Sequence, residues 1–166
     1  MSLISSPGAG FDAPFEMLHA CHERVLQRLR TLERLAAHLP VHGADEQARQ
    51  AAADVLRYFE IAAPHHHEDE ERHVLPRLRA LGRAELADRI AADHLQMGAA
   101  WAALRDQLQA LQAGTVPDTG AWAEFVSLYQ AHIALEEGEA FPASAAVCSA
   151  DDLAAMGAEM AGRRQR

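Results

Sequence analysis

The pattern His-x3-Glu-Glu-x4-Pro occurs twice in this chain, from His66 to Pro76 and from His132 to Pro142. Residues four apart lie on the same face of an α-helix, so each histidine and the first glutamate after it can point at a common atom. Each copy closes on a proline, which interrupts a helix by removing a backbone donor. Imidazole and carboxylate together suit iron, zinc or manganese. The repeat therefore favours helices that carry metal-ligating pairs.

The composition of the chain supports a single helical domain. Its 166 residues are rich in alanine, leucine, glutamate, glutamine and arginine and poor in β-branched and aromatic residues, a mixture that favours helix over sheet. A domain of this length can bury its own core. The net charge of −9 argues against a nucleic-acid partner, because phosphate binding needs clustered positive charge.

Features of location and assembly are sparse in the sequence. No apolar run approaches the roughly 20 residues that span a bilayer, and residues 1–10 lack the charged and apolar regions of a signal peptide. Cys21 and Cys148 have neither metal-like nor CxxC spacing, which fits a reducing compartment, and Cys148 reads as an inert thiol. We therefore expect a cytoplasmic protein without a membrane partner. The oligomeric state stays open, a homodimer included.

The apolar pattern predicts an all-α, up-down-up-down antiparallel four-helix bundle with a short C-terminal helix. Short connections between long helices make neighbours antiparallel. We expect a flexible N-terminal arm over residues 1–11, the bundle over 12–142, and the last helix with a basic tail over 143–166. The predicted bundle helices run from the N-cap Asp12 to about His38, from Asp45 towards Leu81 with Pro64 inside, from Ala84 to Ala113, and from Gly120 to Phe141. Asp151 or Asp152 should cap the last helix, and Arg163–Arg166 should be a solvated end.

One histidine interrupts the apolar stripe of each predicted bundle helix, and these are His22, His66, His94 and His132. Two lie ten residues after the start of their helix, and two lie ten residues before the proline of the repeat. With alternating helix directions, all four reach one level, about 15 Å from the same end of the bundle. Glu70 and Glu136 join them, and buried carboxylates need a cation. Such a donor set exceeds one tetrahedral zinc, which favours two metal ions.

The first copy of the repeat allows two registers, because His67 and Glu71 have the same spacing as His66 and Glu70. Aligning the prolines of the two copies selects His66 and Glu70, since the second copy has only one histidine. The apolar residues before His66 support this choice.

The remaining histidines and glutamates near the predicted site then take flanking places. His65, His67 and His73 become flanking or surface residues, and the latter two could support the ligands from behind. Glu71 and Glu137 are also expected beside the ligands or at the entrance. His19 is the best candidate for an extra ligand, although a flanking place is favoured.

The segments 18–25, 66–76, 93–94 and 132–142 resemble the hemerythrin-like, or HHE cation-binding, family over about residues 12–142. The resemblance implies a non-heme di-iron centre inside a four-helix bundle, with two iron ions and an oxo or hydroxo bridge. Zinc or manganese could replace iron in a given preparation. Carried over to this chain, Glu70 and Glu136 bridge the ions, and the full ligand set is His22, His66, Glu70, His94, His132 and Glu136.

The chain departs from the oxygen-carrying hemerythrins at two positions. Those proteins have a second histidine four residues after the one on the third helix, where this chain has Gly98. They also have a carboxylate five residues after the last histidine, where this chain offers Glu136 at four and Glu137 at five. Losing one imidazole should leave an additional open position on one ion. Such a site suits sensing, peroxide or nitric oxide chemistry, or iron binding itself better than oxygen transport.

We therefore expect a metal-binding protein that takes oxygen, nitric oxide or peroxide as a small ligand, in sensing, storage or redox defence. One alternative is a di-iron oxidase or peroxidase, in which Tyr129 and Met97 line the pocket, although core filling is the favoured interpretation of both residues. The other alternative is a metal-dependent regulatory scaffold that folds on metal binding.

Overall fold

A computed structural model describes residues 10–166, which form five helices and no strand. Helix α1 spans Pro14–His42, α3 spans Ala84–Gln112 and α5 spans Ala150–Arg164. Helices α2 and α4 are each made of consecutive helical segments without a break. The segments of α2 are Glu46–Arg57, Tyr58–Ala62, Ala63–Asp69, Glu70–Val74 and Leu75–Ala80. Those of α4 are Trp122–Leu135, Glu136–Ala140 and Phe141–Ala145. The predicted all-α fold with a short C-terminal helix is confirmed. Residues 1–9 of the predicted arm lie outside the described residues.

The first four helices pack as a bundle, with contacts between α1 and α2, α2 and α3, α3 and α4, and α4 and α1. Their apolar residues form two core clusters, and along every bundle helix a buried histidine lies between them. One cluster contains Val25, Phe59, Met97 and Phe125. The other contains Leu18, Val74, Ile90 and Phe141. The four histidines therefore share one level of the bundle. None of the described helices is both long enough and apolar enough to cross a membrane.

Three five-residue stretches of α2 and α4 are π-helical, and each ends two residues before a proline: Tyr58–Ala62, Glu70–Val74 and Glu136–Ala140. In each stretch, the residue before the proline donates its N–H to the carbonyl five positions back. The wider turn lets the helix continue past a residue that has no donor. Helix α4 was predicted to end at Phe141 and instead continues to Ala145.

Helix α1 also extends beyond its predicted end. It passes through Pro40 and ends at His42, where Gly43 follows with φ 66°. The Gly43 N–H donates to the Leu39 carbonyl at 2.8 Å. Pro40 lies in the last turn, so its missing donor removes only one backbone hydrogen bond from the helix.

The helix caps agree with the sequence at α2 and differ at α1 and α5. At α2, which was predicted to begin near Asp45, the cap is Asp45, whose side chain accepts from the Ala48 N–H. At α1 the cap position is Ala13, one residue after the predicted Asp12, and it makes no side-chain cap. At α5 the cap is Ser149, and Asp152 completes a capping box from the third helical position. A serine followed three residues later by an acid is a known start signal, and it outweighs the aspartates that were predicted to cap.

Helix α5 is anchored to the bundle. Its basic end was predicted to be solvated, but Arg163 is buried. Asp69 is 0 % exposed and Arg163 is 8 % exposed. Arg163 Nη2 donates to Asp69 Oδ1 at 2.8 Å, and Arg164 Nη2 donates to Asp69 Oδ2 at 2.6 Å. Two guanidinium groups therefore neutralise a buried carboxylate, which holds the last turn of α5 against α2. Of the four residues at this basic end, 163–166, only Gln165 and Arg166 are exposed.

Helix α5 also crosses the start of the chain at close range. Met156 and Met160 pack into the second core cluster together with Met17. A Cβ atom at Gly157 would lie 1.8 Å from the Phe11 carbonyl oxygen, so only glycine permits this approach. Phe11, predicted to end the flexible arm, packs against that cluster.

Candidate metal centre

Six buried side chains meet at the level where the four histidines lie. They form two groups that share Glu70 and Glu136, and within each group one ligand atom per residue lies within 4.8 Å of the others. The remaining members are His22 and His66 in the first group, and His94 and His132 in the second. All six residues predicted as ligands are therefore together, and the two glutamates occupy the shared position expected of bridges.

Each shared glutamate contacts one histidine of its own helix and one of a neighbouring helix. Glu70 Oε1 lies 3.2 Å from His66 Nε2 in α2 and 3.6 Å from His94 Nε2 in α3. Glu136 Oε1 lies 2.7 Å from His132 Nε2 in α4 and 3.3 Å from His22 Nε2 in α1. The i,i+4 spacing of the repeat produces the first contact of each pair. The bundle packing produces the second.

The atoms that face the centre of this cluster have no hydrogen-bond partner among residues 10–166. They are the Nε2 atoms of all four histidines and both carboxylate oxygens of Glu70 and Glu136. Both glutamates are 0 % exposed. Buried polar atoms without partners are costly, and a cation would satisfy all of them at once. Imidazole nitrogen and carboxylate oxygen suit iron, zinc or manganese, so the residues present fit a metal centre.

Three of the four histidines are held from behind by a carboxylate. His22 Nδ1 contacts Glu137 Oε1 at 2.7 Å, and His94 Nδ1 contacts Glu71 Oε1 at 3.1 Å. His132 Nδ1 contacts Asp93 Oδ2 at 3.1 Å. Such contacts place the proton on Nδ1 and leave Nε2 free to bind a metal. His66 Nδ1 has no partner among the described residues.

These supporting carboxylates were only partly foreseen. Glu71 and Glu137 lie behind ligands, as expected from their places beside the predicted ligands. Asp93 was not assigned any role, because it precedes His94 in the chain but serves His132 on another helix. The signal available in the sequence was an acidic residue adjacent to a core histidine.

The flanking histidines lie outside both ligand groups. His19 is 58 % exposed and contacts Glu137 Oε1 through Nδ1 at 2.9 Å, so it extends the support of His22. His67 stacks on the ring of His94, with centroids 4.3 Å apart. His73 contacts Glu159 in α5 at 2.7 Å instead of a ligand. His65 offers its carbonyl oxygen to Arg163.

A small cavity of about 10 Å³ adjoins the cluster. Its wall contains four of the candidate ligands and five other residues, which are Val25, Ala63, His67, Tyr129 and Ile133. Tyr129 therefore lies where a pocket residue was expected, whereas Met97 packs into the first core cluster. Gly98, the position of the absent imidazole, is exposed, and a Cβ atom there would meet no other atom within 4 Å.

In the absence of a cation, burial shifts the pKa of three groups in the cluster, whereas for His94 the contacts with Glu70 and Glu71 outweigh burial and raise the pKa. Burial lowers the pKa of His66 well below its ordinary value. It also lowers the pKa of His132, to about 4, although Asp93 acts in the opposite direction. Burial raises the pKa of Glu70. Neutral imidazoles are the form that binds metal, and a carboxylate that resists ionisation gains most from a nearby cation.

Comparisons with known proteins agree with this geometry. The chain matches the family model described as the Hemerythrin HHE cation binding domain over residues 13–144, a range that includes all six predicted ligands. It is also similar to a protein of Haemophilus influenzae described as uncharacterized, with 35 % identity over 161 residues that cover 95 % of this chain and 93 % of that protein. The chain therefore belongs to the hemerythrin HHE cation-binding family.

Proposed function

We propose that the cluster holds two metal ions, iron in the cell, and that the protein uses them to bind a small ligand such as oxygen, nitric oxide or peroxide. His22 and His66 would hold one ion, His94 and His132 the other, and Glu70 and Glu136 would bridge them. The role would be sensing, storage or redox defence. A cytoplasmic location, which the unpaired Cys21 and Cys148 favour, belongs to the same proposal.

The observation that carries this proposal is the sharing of two buried carboxylates between two histidine pairs. A single ion would need at most one of the two groups, and the other would remain buried without partners. Leaving that second set of polar atoms unsatisfied is costly. Two cations offset the charge of both glutamates and satisfy all of the inward-facing atoms.

Bound iron would supply a redox-active Lewis acid with room for an exchangeable ligand. The chain's own residues orient and enclose it. Glu137, Glu71 and Asp93 accept the Nδ1 protons of their histidines and thereby aim the opposite nitrogens inward. Val25 and Ile133 make part of the cavity wall apolar, which limits the entry of water.

The size of the cavity favours a small ligand over an organic substrate. A volume of about 10 Å³ corresponds to about one water molecule. Substrate pockets usually measure roughly 300 Å³ or more. An oxidase acting on organic molecules would therefore need a rearrangement of helices that pack closely at this level. Peroxide, oxygen and nitric oxide have two heavy atoms each, so they need a much smaller adjustment of the cavity wall.

Metal analysis of protein from iron-replete cells tests the proposal. We expect about two irons per chain and an optical absorption that changes when the anaerobic protein meets air. Glu70→Ala should reduce the binding of both ions, because both groups use Glu70. His94→Ala should reduce the binding of only one ion. His65 lies outside both groups, so His65→Ala should retain both ions.

Three results would contradict the proposal. One is a colourless protein that carries another metal from iron-replete cells. Another is equal metal loss in Glu70→Ala and His94→Ala, which would indicate a single ion. The third is complete unfolding after chelation, which would favour a scaffold whose folding depends on metal.

A further inference from the structure

Two polar side chains of the cavity wall are not among the candidate ligands. They are His67 and Tyr129, and the remaining non-ligand wall residues, Val25, Ala63 and Ile133, are apolar. A small ligand in this cavity would therefore meet polar atoms of the protein, apart from the ligand set, only at His67 and Tyr129.

The ring of His67 is held in a fixed orientation. It lies flat against His94, with centroids 4.3 Å apart and an interplanar angle of 16°. Tyr129 lies on a nearly parallel plane, with its centroid 6.3 Å away, and His132 is nearly perpendicular at 79°. A histidine ligand contains its metal in the plane of its ring, so two stacked rings cannot both point at the same ion. His67 also belongs to neither group of possible ligands, so it lines the cavity outside the ligand set.

The polar atoms of both side chains are free to interact with a ligand. The nearby carboxylates bond to other histidines: Glu71 accepts from His94, and Asp93 accepts from His132. No hydrogen bond between described residues involves the His67 ring or the Tyr129 hydroxyl. A neutral imidazole always carries one N–H donor, and a phenol carries an O–H. His67 is half-buried and Tyr129 is buried, so both donors line the cavity and remain available to a ligand there.

We propose that His67 donates a hydrogen bond to the small ligand bound in this cavity, and that the Tyr129 hydroxyl is a second donor. The inference rests on the proposed function, and it names what the site selects: a ligand of few atoms with an exposed lone pair or negative charge. His67 thereby determines ligand affinity without holding metal. Its stacking on His94 fixes the donor before the ligand arrives, which limits the entropy lost on binding.

Azide is a suitable probe, because it is small, anionic and accepts hydrogen bonds. Its binding to the oxidised, iron-loaded protein can be followed by optical titration. We expect His67→Phe, which keeps a stacking ring but removes the donor, to weaken azide binding about tenfold, the effect of one charge-assisted hydrogen bond. His67→Gln restores a donor and should recover most of the affinity. Tyr129→Phe should show a smaller loss.

His65→Phe is the matched control, since His65 lies two residues earlier in the chain and outside the cavity wall. It should bind azide as the unchanged protein does. Iron content is measured in every variant and should stay at the unchanged value.

The outcomes separate this inference from the proposed function. Unchanged azide affinity in His67→Phe overturns the inference and leaves the proposed function standing. Loss of iron in His67→Phe also overturns it, because His67 would then be a ligand. If the unchanged protein holds two irons but binds no azide, nitric oxide or oxygen, small-ligand binding itself fails, and the inference fails with it.

Discussion

Asp93 is half-buried on α3, and its carboxylate supports a histidine of α4. Its Oδ2 atom accepts the Nδ1 proton of His132 at 3.1 Å. A carboxylate in this position fixes the imidazole and increases its strength as a ligand. Three of the four histidines have such support, so the directions of those three Nε2 atoms depend on residues outside the six candidate ligands.

We predict that Asp93→Asn lowers metal affinity by about tenfold to a hundredfold while the fold is retained. The neutral amide keeps the shape of the side chain but holds the imidazole less firmly. Competition with a chelator of known affinity measures the effect. Asp88→Asn is the control, because Asp88 lies on the same helix and its carboxylate pairs with the surface residue Arg79. Equal affinities in the two variants would show that Asp93 gives no support.

At the scale of the helix, the π-helical stretches connect the prolines to the two shared carboxylates. Glu70 and Glu136 each begin such a stretch, and each accepts the N–H of the residue before the proline. A π-helical turn changes the rotation of everything that follows it. The prolines of the repeat therefore influence how each glutamate is presented to the cluster relative to the core residues beyond it.

We predict that Pro142→Ala lowers metal affinity about tenfold without reducing helix content. Alanine restores a backbone donor, so a regular α-helical turn becomes available in place of the π-helical stretch Glu136–Ala140. Chelator competition and circular dichroism measure the two quantities. Pro40→Ala is the control, because Pro40 lies inside α1 at the other end of the bundle, where no π-helical stretch precedes it. Unchanged metal affinity in Pro142→Ala would show that the proline does not influence the candidate metal centre.

The close approach of α5 to the start of the chain gives a second prediction at this scale. Gly157→Ala should lower the free energy of unfolding by about 2 kcal/mol, because the new methyl group would lie 1.8 Å from the Phe11 carbonyl oxygen and the backbone must move. Gly162 lies in the same helix, and a Cβ atom added there would meet no other atom within 4 Å. Gly162→Ala should therefore be neutral or slightly stabilising. Urea unfolding compares the two, and equal stabilities would contradict the contact.

The sequence predicted much of this architecture because its signals are local. Helix periodicity, the i,i+4 pairs and the common depth of the histidines all depend on residues within a few turns. The continuation of α4 past Pro142 was not predicted, because a proline reads as a stop unless a wider turn precedes it. Asp93 and Arg163 were missed for another reason. Their partners, His132 and Asp69, lie on other helices, and no spacing along the chain connects them.

The metal-free molecule as a whole should be sensitive to acid through the centre of its core. The pKa of His132 is lowered to about 4, below the roughly 6.5 of an unfolded histidine. Neutral His132 therefore contributes stability above about pH 6.5 that is lost as the pH falls through 4. His66 changes in the same direction. The raised pKa of Glu70 acts in the opposite sense, since its ionisation destabilises the metal-free fold as the pH rises.

We predict that the stability difference between unchanged and His132→Gln protein, both freed of metal, depends on pH. The advantage of the unchanged protein should fall by up to about 3 kcal/mol between pH 6.5 and 4, because only its histidine must be protonated as it unfolds. Urea unfolding at several pH values measures this difference. A constant difference across the range would mean that His132 titrates normally in the folded state.

The pairing of Asp69 with Arg163 and Arg164 also has a consequence for how the molecule is made. Arg163 and Arg164 follow Asp69 by 94 and 95 positions in the chain. A ribosome adding about 5–20 residues per second therefore needs several seconds to deliver the arginines after Asp69 has been synthesised. During that interval Asp69 lacks the compensating charge of both arginines. The docking of α5 onto α2 should consequently be the last step of folding, after all four bundle helices have been synthesised.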